Sequence, residues 1–258
     1  MHMRPLTDKN EILGFLESDQ LYAAYAIGDL EPALFAQSEW VGAEQAGQLC
    51  ALALLFKGLD PPALFLMGQA AGLATVLRLG LRQERVYLTC QEQHMPTVQA
   101  VYNTEPPIPM WRMTLQQADF RPLSSPRVRP LSPRHTEELR RLYAQGGADA
   151  FTPTQLATGV FYGVRDHGRL VAAAGTHLVS PTFGMGAVGN VYTAPACRGR
   201  GYGTATTSAV VDELFRRGLR HVFLNVAQDN TTAIRIYERL GFTKYCPFLE
   251  MFARRRVF

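Results

Sequence analysis

The chain has 258 residues, of which 47% are apolar and 19% charged, with a formal charge of +4. That apolar share supports a packed core and excludes a solvated, disordered polymer. The longest apolar runs, such as Leu49 to Phe56, fall far short of the roughly eighteen residues that span a bilayer.

The first residues, Met-His-Met-Arg-Pro-Leu-Thr-Asp, contain no apolar signal region, so the expectation is a cytoplasmic protein without a membrane partner. In the first half, Leu6 to Leu21 reads as a helix, and a further helical stretch passes Asp29-Leu30-Glu31-Pro32. Apolar strands follow at Leu49–Phe56 and Ala63–Met67, then helix Ala70–Leu79, strand Arg85–Cys90, helix Met95–Tyr102 and strand Met110–Leu115. Arg121-Pro-Leu-Ser-Ser-Pro126 is rich in Pro and Ser, and residues 121–127 are the predicted linker between a 1–120 domain and a 128–258 domain.

The second half opens with strand Val128–Pro130 and a helix that starts at Ser132 or Pro133 and reaches about Gln145. A short helical piece at Pro153-Thr-Gln-Leu-Ala precedes strand Val160–Arg165. Asp166-His-Gly168 is a hairpin signal leading into strand Leu170–Val179. Strand Ala187–Thr193 then enters a turn, Arg198-Gly-Arg200-Gly-Tyr-Gly203, and a helix from Tyr202 to Arg217 that Gly218 stops. Strand His221–Val226 leads to Asn230, a candidate N-cap for helix Thr231–Leu240; Gly241 ends that helix, and strand Phe242–Phe252 is expected to complete the second sheet.

The turn carries the chemistry. Gly199, Gly201 and Gly203 let the backbone take positive φ and let a ligand approach its N–H groups. Those donors open a helix at the positive end of its dipole, and Arg198 and Arg200 add charge beside them, so the element suits a phosphate or pyrophosphate. A P-loop would need Gly-Lys-Ser/Thr, and no lysine lies near; a dinucleotide fingerprint would need G-x-G-x-x-G with an acid at the end of the next strand, which here ends Leu224-Asn-Val226. Cys50, Cys90, Cys197 and Cys246 show neither C-x-x-C nor metal-ligand spacing and read as reduced thiols. Residues 1–120 hold 7 Lys and Arg against 13 Asp and Glu, whereas 121–258 hold 19 against 9. The arginines are spread along that second half, which fits a polyanionic cofactor better than nucleic acid.

The spacing R-x-x-G-x-G, read as Arg198, Gly201 and Gly203, resembles the coenzyme A pyrophosphate loop of the GNAT superfamily of N-acetyltransferases. A second segment, Asn225 through Asn230 and Tyr237 to Leu240-Gly241-Phe242, is similar to that family's downstream motif. The resemblance covers about residues 126–258, and the motif looks closest to the glycine N-acyltransferase-like branch. It implies an α/β (α+β) fold with mixed, mostly antiparallel sheets flanked by helices. The first half repeats the strand-helix-strand-helix order, with Met67-Gly68-Gln-Ala-Ala-Gly72 where the second half has its arginine-glycine turn. Tandem GNAT-like domains are therefore expected, the first degenerate and lacking coenzyme A.

The resemblance implies acetyl-CoA as cofactor and transfer of its acetyl group to a primary amine of a small molecule, amino acid or peptide. It assigns cofactor binding to Val191, Tyr192, Thr193, Arg198, Gly199, Arg200, Gly201, Tyr202, Gly203, Thr204, Asn225, Asn230, Ala233 and Tyr237. Tyr237 would protonate the departing thiolate. For the amine's proton, the family's usual strand glutamate is missing, since no Asp or Glu lies between Asp166 and Asp212. His177, alone or through water held by Asn190, is one candidate; Glu250 is a weaker one, and a solvent chain is a third. That gap leaves a non-catalytic coenzyme A sensor or assembly module as the alternative. A homodimer is a further expectation carried by the resemblance, and no metal is expected.

Overall fold

The computed structural model describes residues 1–146 and 151–256. The chain divides into two compact units, Met1–Trp111 together with the residues from Cys246 onward, and Arg112–Tyr245.

The first unit contains β1 (His2–Pro5), α1 (Lys9–Leu16), α2 (Ala24–Gly28), α3 (Pro32–Phe35), β2 (Ser38–Gln45), β3 (Gln48–Phe56), β4 (Ala63–Gly68), α4 (Ala70–Thr75), β5 (Arg85–Cys90), α5 (Met95–Gln99) and β6 (Tyr102–Thr104). Asp8 caps α1 by accepting from the Asn10 N–H at 2.8 Å, and Pro32 opens α3, where its missing N–H is not needed. Strand β2 is absent from the sequence reading because Gly42, Ala43 and Glu44 dilute its apolar signal. It forms because Ala46 (φ 52°) and Gly47 (φ 78°) make a two-residue hairpin turn that lays it antiparallel along β3. Helix α4 then carries the chain across so that β5 runs parallel to β4. Val41, Ala53, Leu66, Leu77, Leu88 and Met251 form part of the buried core of this unit.

After β7 (Ile108–Gln116), the second unit holds β8 (Val128–Pro130), α6 (Thr136–Tyr143), α7 (Pro153–Thr158), β9 (Tyr162–Asp166), β10 (Arg169–Ser180), β11 (Met185–Thr193), α8 (Tyr202–Arg216), β12 (His221–Ala227) and α9 (Thr231–Arg239), and the chain ends with β13 (Thr243–Arg255). The strand order here is β7-β12-β11-β10-β9-β8, antiparallel from β8 to β11 and parallel between β11 and β12. His167 (φ 46°) and Gly168 (φ 77°) make the expected β9–β10 hairpin. Helix α8 buries Val210, Val211 and Leu214. Each unit thus runs three antiparallel strands, a helix, and a strand parallel to the third.

The closing strand differs from the expectation. From Leu249↔Cys90 to Arg254↔Arg85, β13 pairs antiparallel with β5 in the first unit, while β7 neighbours β12. The expected division of 1–120 from 128–258 is therefore replaced by boundaries at Trp111/Arg112 and Tyr245/Cys246. The ladder bonds that join strands are made by backbone, so an apolar strand sequence does not say which sheet edge it completes.

Gly241 (φ 101°) ends α9 where a Cβ would collide with the Asp119 carbonyl, whereas Gly218 (φ 84°) ends α8 with open space on that side. Gly218→Ala should cost about 1 kcal/mol for the left-handed backbone alone. Gly241→Ala adds a backbone collision and should cost about 2–4 kcal/mol, measured by urea unfolding. Equal losses would show that the Asp119 contact yields without strain.

Candidate functional site

The site begins where two parallel strands stop pairing. The β11–β12 ladder joins Met185↔His221, Gly186↔Val222 and Ala187↔Phe223, after which β11 continues from Val188 to Thr193 and β12 from Leu224 to Ala227. Two irregularities against β10 accompany this. Between Ala173↔Tyr192 and Gly175↔Gly189 the extra residue is on β11, at Asn190–Val191; between Thr176↔Val188 and Leu178↔Ala187 it is His177 on β10. Bulges bend a strand and re-aim its side chains, so both polar residues singled out on these strands lie where the sheet is bent.

Asn190 is buried and held at φ 52°, a left-handed conformation that asparagine tolerates better than most residues. Its Nδ2 donates to Gln155 Oε1 at 3.2 Å, and its carbonyl accepts from Tyr143 Oη at 2.8 Å. Gln155 Oε1 also accepts from the Thr152 N–H at 3.0 Å, within a capping box that starts α7. The sequence reading missed Gln155 and Tyr143, although Thr152-x-x-Gln155 is a legible capping signal. The His177 ring lies against Gly189, where a Cβ would fall on the imidazole. Burial pushes the His177 pKa down to about 4, and the neighbouring Asn190 side chain works the other way.

The glycine turn forms with two of its three glycines at positive φ, while Gly203 lies in the first turn of α8. Gly199 (φ 76°) and Gly201 (φ 77°) both take left-handed backbone, and a Cβ at either would stand in open space. Gly201 is the N-cap of the fifteen-residue α8 and no side chain caps it, so the helix opens with N–H donors available to an anion. Gly203 and Thr204 continue the first turn. Both arginines are exposed, and each already has a partner within the unit. Arg198 Nε donates to the Thr193 carbonyl at 3.2 Å, with its guanidinium 5.9 Å from the Tyr192 ring centre, and Arg200 Nη1 lies 3.2 Å from Asp166 Oδ2. Asp166 thus offsets part of the charge expected at the turn; being a partly exposed pair, it holds Arg200 weakly.

Other assigned residues play structural parts. The Tyr192 hydroxyl donates to the Gln145 carbonyl at 2.7 Å and its ring packs in the core, while Tyr202 packs with Val164, Ala172 and Cys197 and accepts from Arg127 Nη1 at 2.8 Å. Contributions of these two tyrosines to a ligand are therefore those of their backbone. Cys197 is a buried free thiol rather than an exposed reactive one. Val191 and Thr193 are half-buried on the part of β11 beyond its ladder with β12, and Asn225 stands on β12 beyond the last residue paired with β11. Asn230 caps α9 by accepting from the Ala233 N–H at 3.1 Å. Tyr237 is buried on α9, its ring 5.9 Å from that of Phe242, and burial pushes its pKa up to about 12. Glu250 accepts from Tyr87 Oη at 2.7 Å, and both residues lie in the first unit.

The first unit has the same strand separation but a different filling. Its β4–β5 ladder stops at Phe65↔Thr89, and β4 runs on to Gly68. There Tyr22 Oη donates to the Leu66 carbonyl at 2.9 Å, and buried His94 Nε2 lies 2.9 Å from the Gly68 carbonyl. The chain's own side chains satisfy the strand that a ligand would otherwise meet.

Residues 120–242 match the model of the acetyltransferase (GNAT) family. A mycothiol acetyltransferase of Renibacterium salmoninarum is 35% identical over 92 residues, which are 34% of this chain and 27% of that protein; the chain thus spans well under two thirds of the relative's length. The expected leaning toward the glycine N-acyltransferase-like branch is corrected by such relatives. In fold, the chain resembles a Drosophila protein with a TM-score of 0.74 at 15% identity, covering 98% of each chain. A tandem GNAT protein from the clavulanic acid biosynthesis pathway gives a TM-score of 0.61 at 14% identity, again over 98% of each chain. In sequence, residues 120–242 are thus similar to the acetyltransferase (GNAT) family, and in fold the chain is similar to a tandem GNAT protein.

Proposed function

We propose that the protein is an acyl-CoA-dependent N-acetyltransferase acting on a primary amine of a small molecule, amino acid or peptide, with one cofactor site per chain, in the second unit. The observation that carries this reading is the junction of the separated β11–β12 strands with the Gly199–Gly203 turn at an uncapped helix start. The open space over Gly199 and Gly201 fits a pyrophosphate, and Val191 to Thr193 offer backbone groups to the amides of a pantetheine arm. Acetyl-CoA would supply an acetyl thioester there. Backbone N–H near the Asn190 bulge stands where negative charge would develop on the acyl oxygen.

Magnitudes decide between the candidate bases. An imidazole with a pKa of about 4 is neutral at pH 7, yet it takes a proton from an alkylammonium of pKa about 10 at a disadvantage of six pKa units, roughly 8 kcal/mol. His177 therefore serves as a hydrogen-bonding partner for water, and the amine arrives already deprotonated or loses its proton to a water chain. Peptide α-amino groups, with pKa near 8, meet this demand far more easily than lysine-like amines. Of the proposed acceptors, peptide N-termini are thus favoured, and similarity to mycothiol acetyltransferases does not fix the acceptor. Tyr237 stays protonated throughout the neutral range and holds the proton for the departing thiolate. The first unit is read as a degenerate GNAT-like domain whose strand gap Tyr22 and His94 close.

Calorimetric titration of acetyl-CoA should give one site per chain. The double change Arg198→Ala, Gly201→Asp should weaken binding about 100-fold, through a lost charge and a repelling carboxylate, with the circular dichroism unchanged. Two sites per chain would refute the filled first unit. Absence of binding to the parent protein would refute the cofactor site.

Tyr237→Phe should lower kcat about 100-fold, measured by thiol release, and leave the KM for acetyl-CoA near its parent value. An unchanged kcat would remove Tyr237 from proton transfer. The pH profile of kcat/KM gives a separate check. Protonation of His177 begins only as pH falls toward about 4, so the rate should rise through pH 6–8 with the acceptor's own pKa and show no inflection near 6.5. An inflection there that His177→Asn abolishes would restore the histidine as base.

A further inference from the structure

The first unit is acidic, with thirteen Asp and Glu against nine Lys and Arg, yet six of those nine cluster at one corner: Arg78, Arg82, Arg85, Arg254, Arg255 and Arg256. A cavity of about 610 Å³ opens there, lined by Arg82, Glu84, Asn103, Arg254, Arg255 and Arg256. Two of its arginines have partners within the unit. Arg254 holds Glu84 through Nε at 3.1 Å and Nη2 at 2.7 Å, and Arg255 donates to the Leu77 carbonyl at 3.0 Å and the Arg78 carbonyl at 3.3 Å while covering the Tyr102 ring. Arg82 and Arg256 line the same space and, among the described residues, pair with no carboxylate.

The sheet register makes this arrangement unfavourable for folding alone. Arg254 sits directly opposite Arg85 in the β5–β13 ladder, so two like charges share one face at a cross-strand pair, a destabilising placement. Glu84 is the lining carboxylate, and it leaves most of the positive charge uncompensated. Neither the acyl-transfer site nor the strand pairing needs these side chains. Guanidinium groups hold phosphate oxygens in bidentate fashion, and the opening has room for several phosphate groups.

We propose that this cavity binds an anion bearing two or more phosphate groups, at a site separate from the Gly199–Gly203 turn. Arg82 and Arg256 would contact it, with Arg254 and Arg255 lining the same space beside them. The phosphates would belong to a soluble polyphosphate compound or to a phosphoinositide headgroup.

The test uses the full chain carrying Arg198→Ala and Gly201→Asp, so that binding at the turn is removed. Tripolyphosphate is titrated calorimetrically at about 0.15 M salt, where diffuse charge attraction is largely screened. Saturable one-site binding is expected, weakened at least tenfold by Arg82→Gln with Arg256→Gln and less so by Arg82→Lys with Arg256→Lys, which keeps the charge but loses the bidentate geometry. Co-sedimentation with phosphoinositide vesicles, competed by tripolyphosphate, would identify a headgroup as the source; binding of tripolyphosphate alone would identify a soluble one. Absence of saturable binding to both probes, or binding indifferent to the glutamine changes, would overturn the proposal. Both arginines are exposed, and an unchanged thermal midpoint confirms that the variants are folded.

Discussion

The end of parallel pairing at Ala187↔Phe223 is the constraint on which the site depends. A fully paired β11 would spend its backbone groups on the sheet and leave no edge for an extended ligand. The strands separate beside two bulges, at Asn190–Val191 and at His177, and the first is held open by a residue in left-handed conformation. Such a conformation persists only where its surroundings fix it. Here Gln155 holds the Asn190 side chain and Tyr143 holds its carbonyl, from two different helices. The helices that cover this sheet therefore also set the geometry of its gap.

Electrostatics at the site are restrained rather than strong. The turn at Gly199–Gly203 relies on oriented N–H groups, which need no counterion of their own, while Arg198 folds back on β11 and Arg200 leans on Asp166. An anion arriving there would compete with Asp166 for Arg200, an exchange that costs little because that pair is exposed to solvent. Burial keeps Tyr237 protonated and His177 neutral, so neither adds a fixed charge to this part of the second unit.

The two units show one strand plan put to two uses. In both, three antiparallel strands lead through a helix to a parallel strand that pairs over three residues and then departs. The second unit leaves the gap beside a glycine-rich helix start. The first closes it with Tyr22 and His94 and replaces the fifteen-residue α8 by the six-residue α4. Burying a tyrosine hydroxyl and an imidazole nitrogen against strand carbonyls satisfies groups that would otherwise need water or a ligand.

The sequence by itself determined the features that depend on local backbone chemistry. Glycine at positions 199 and 201 allowed the left-handed turn, Asn230 capped α9, His167-Gly168 closed a hairpin, and the apolar spacing of α8 marked its buried side. These are decided within a few residues of chain. Tertiary structure alone decided which groups meet across long separations: Gln155 with Asn190, Asp166 with Arg200, and β13 with β5. The sequence could not specify the last of these because ladder bonds are made by backbone common to every residue, nor the perturbed proton affinities of His177 and Tyr237, because these follow from burial that only the packed chain creates.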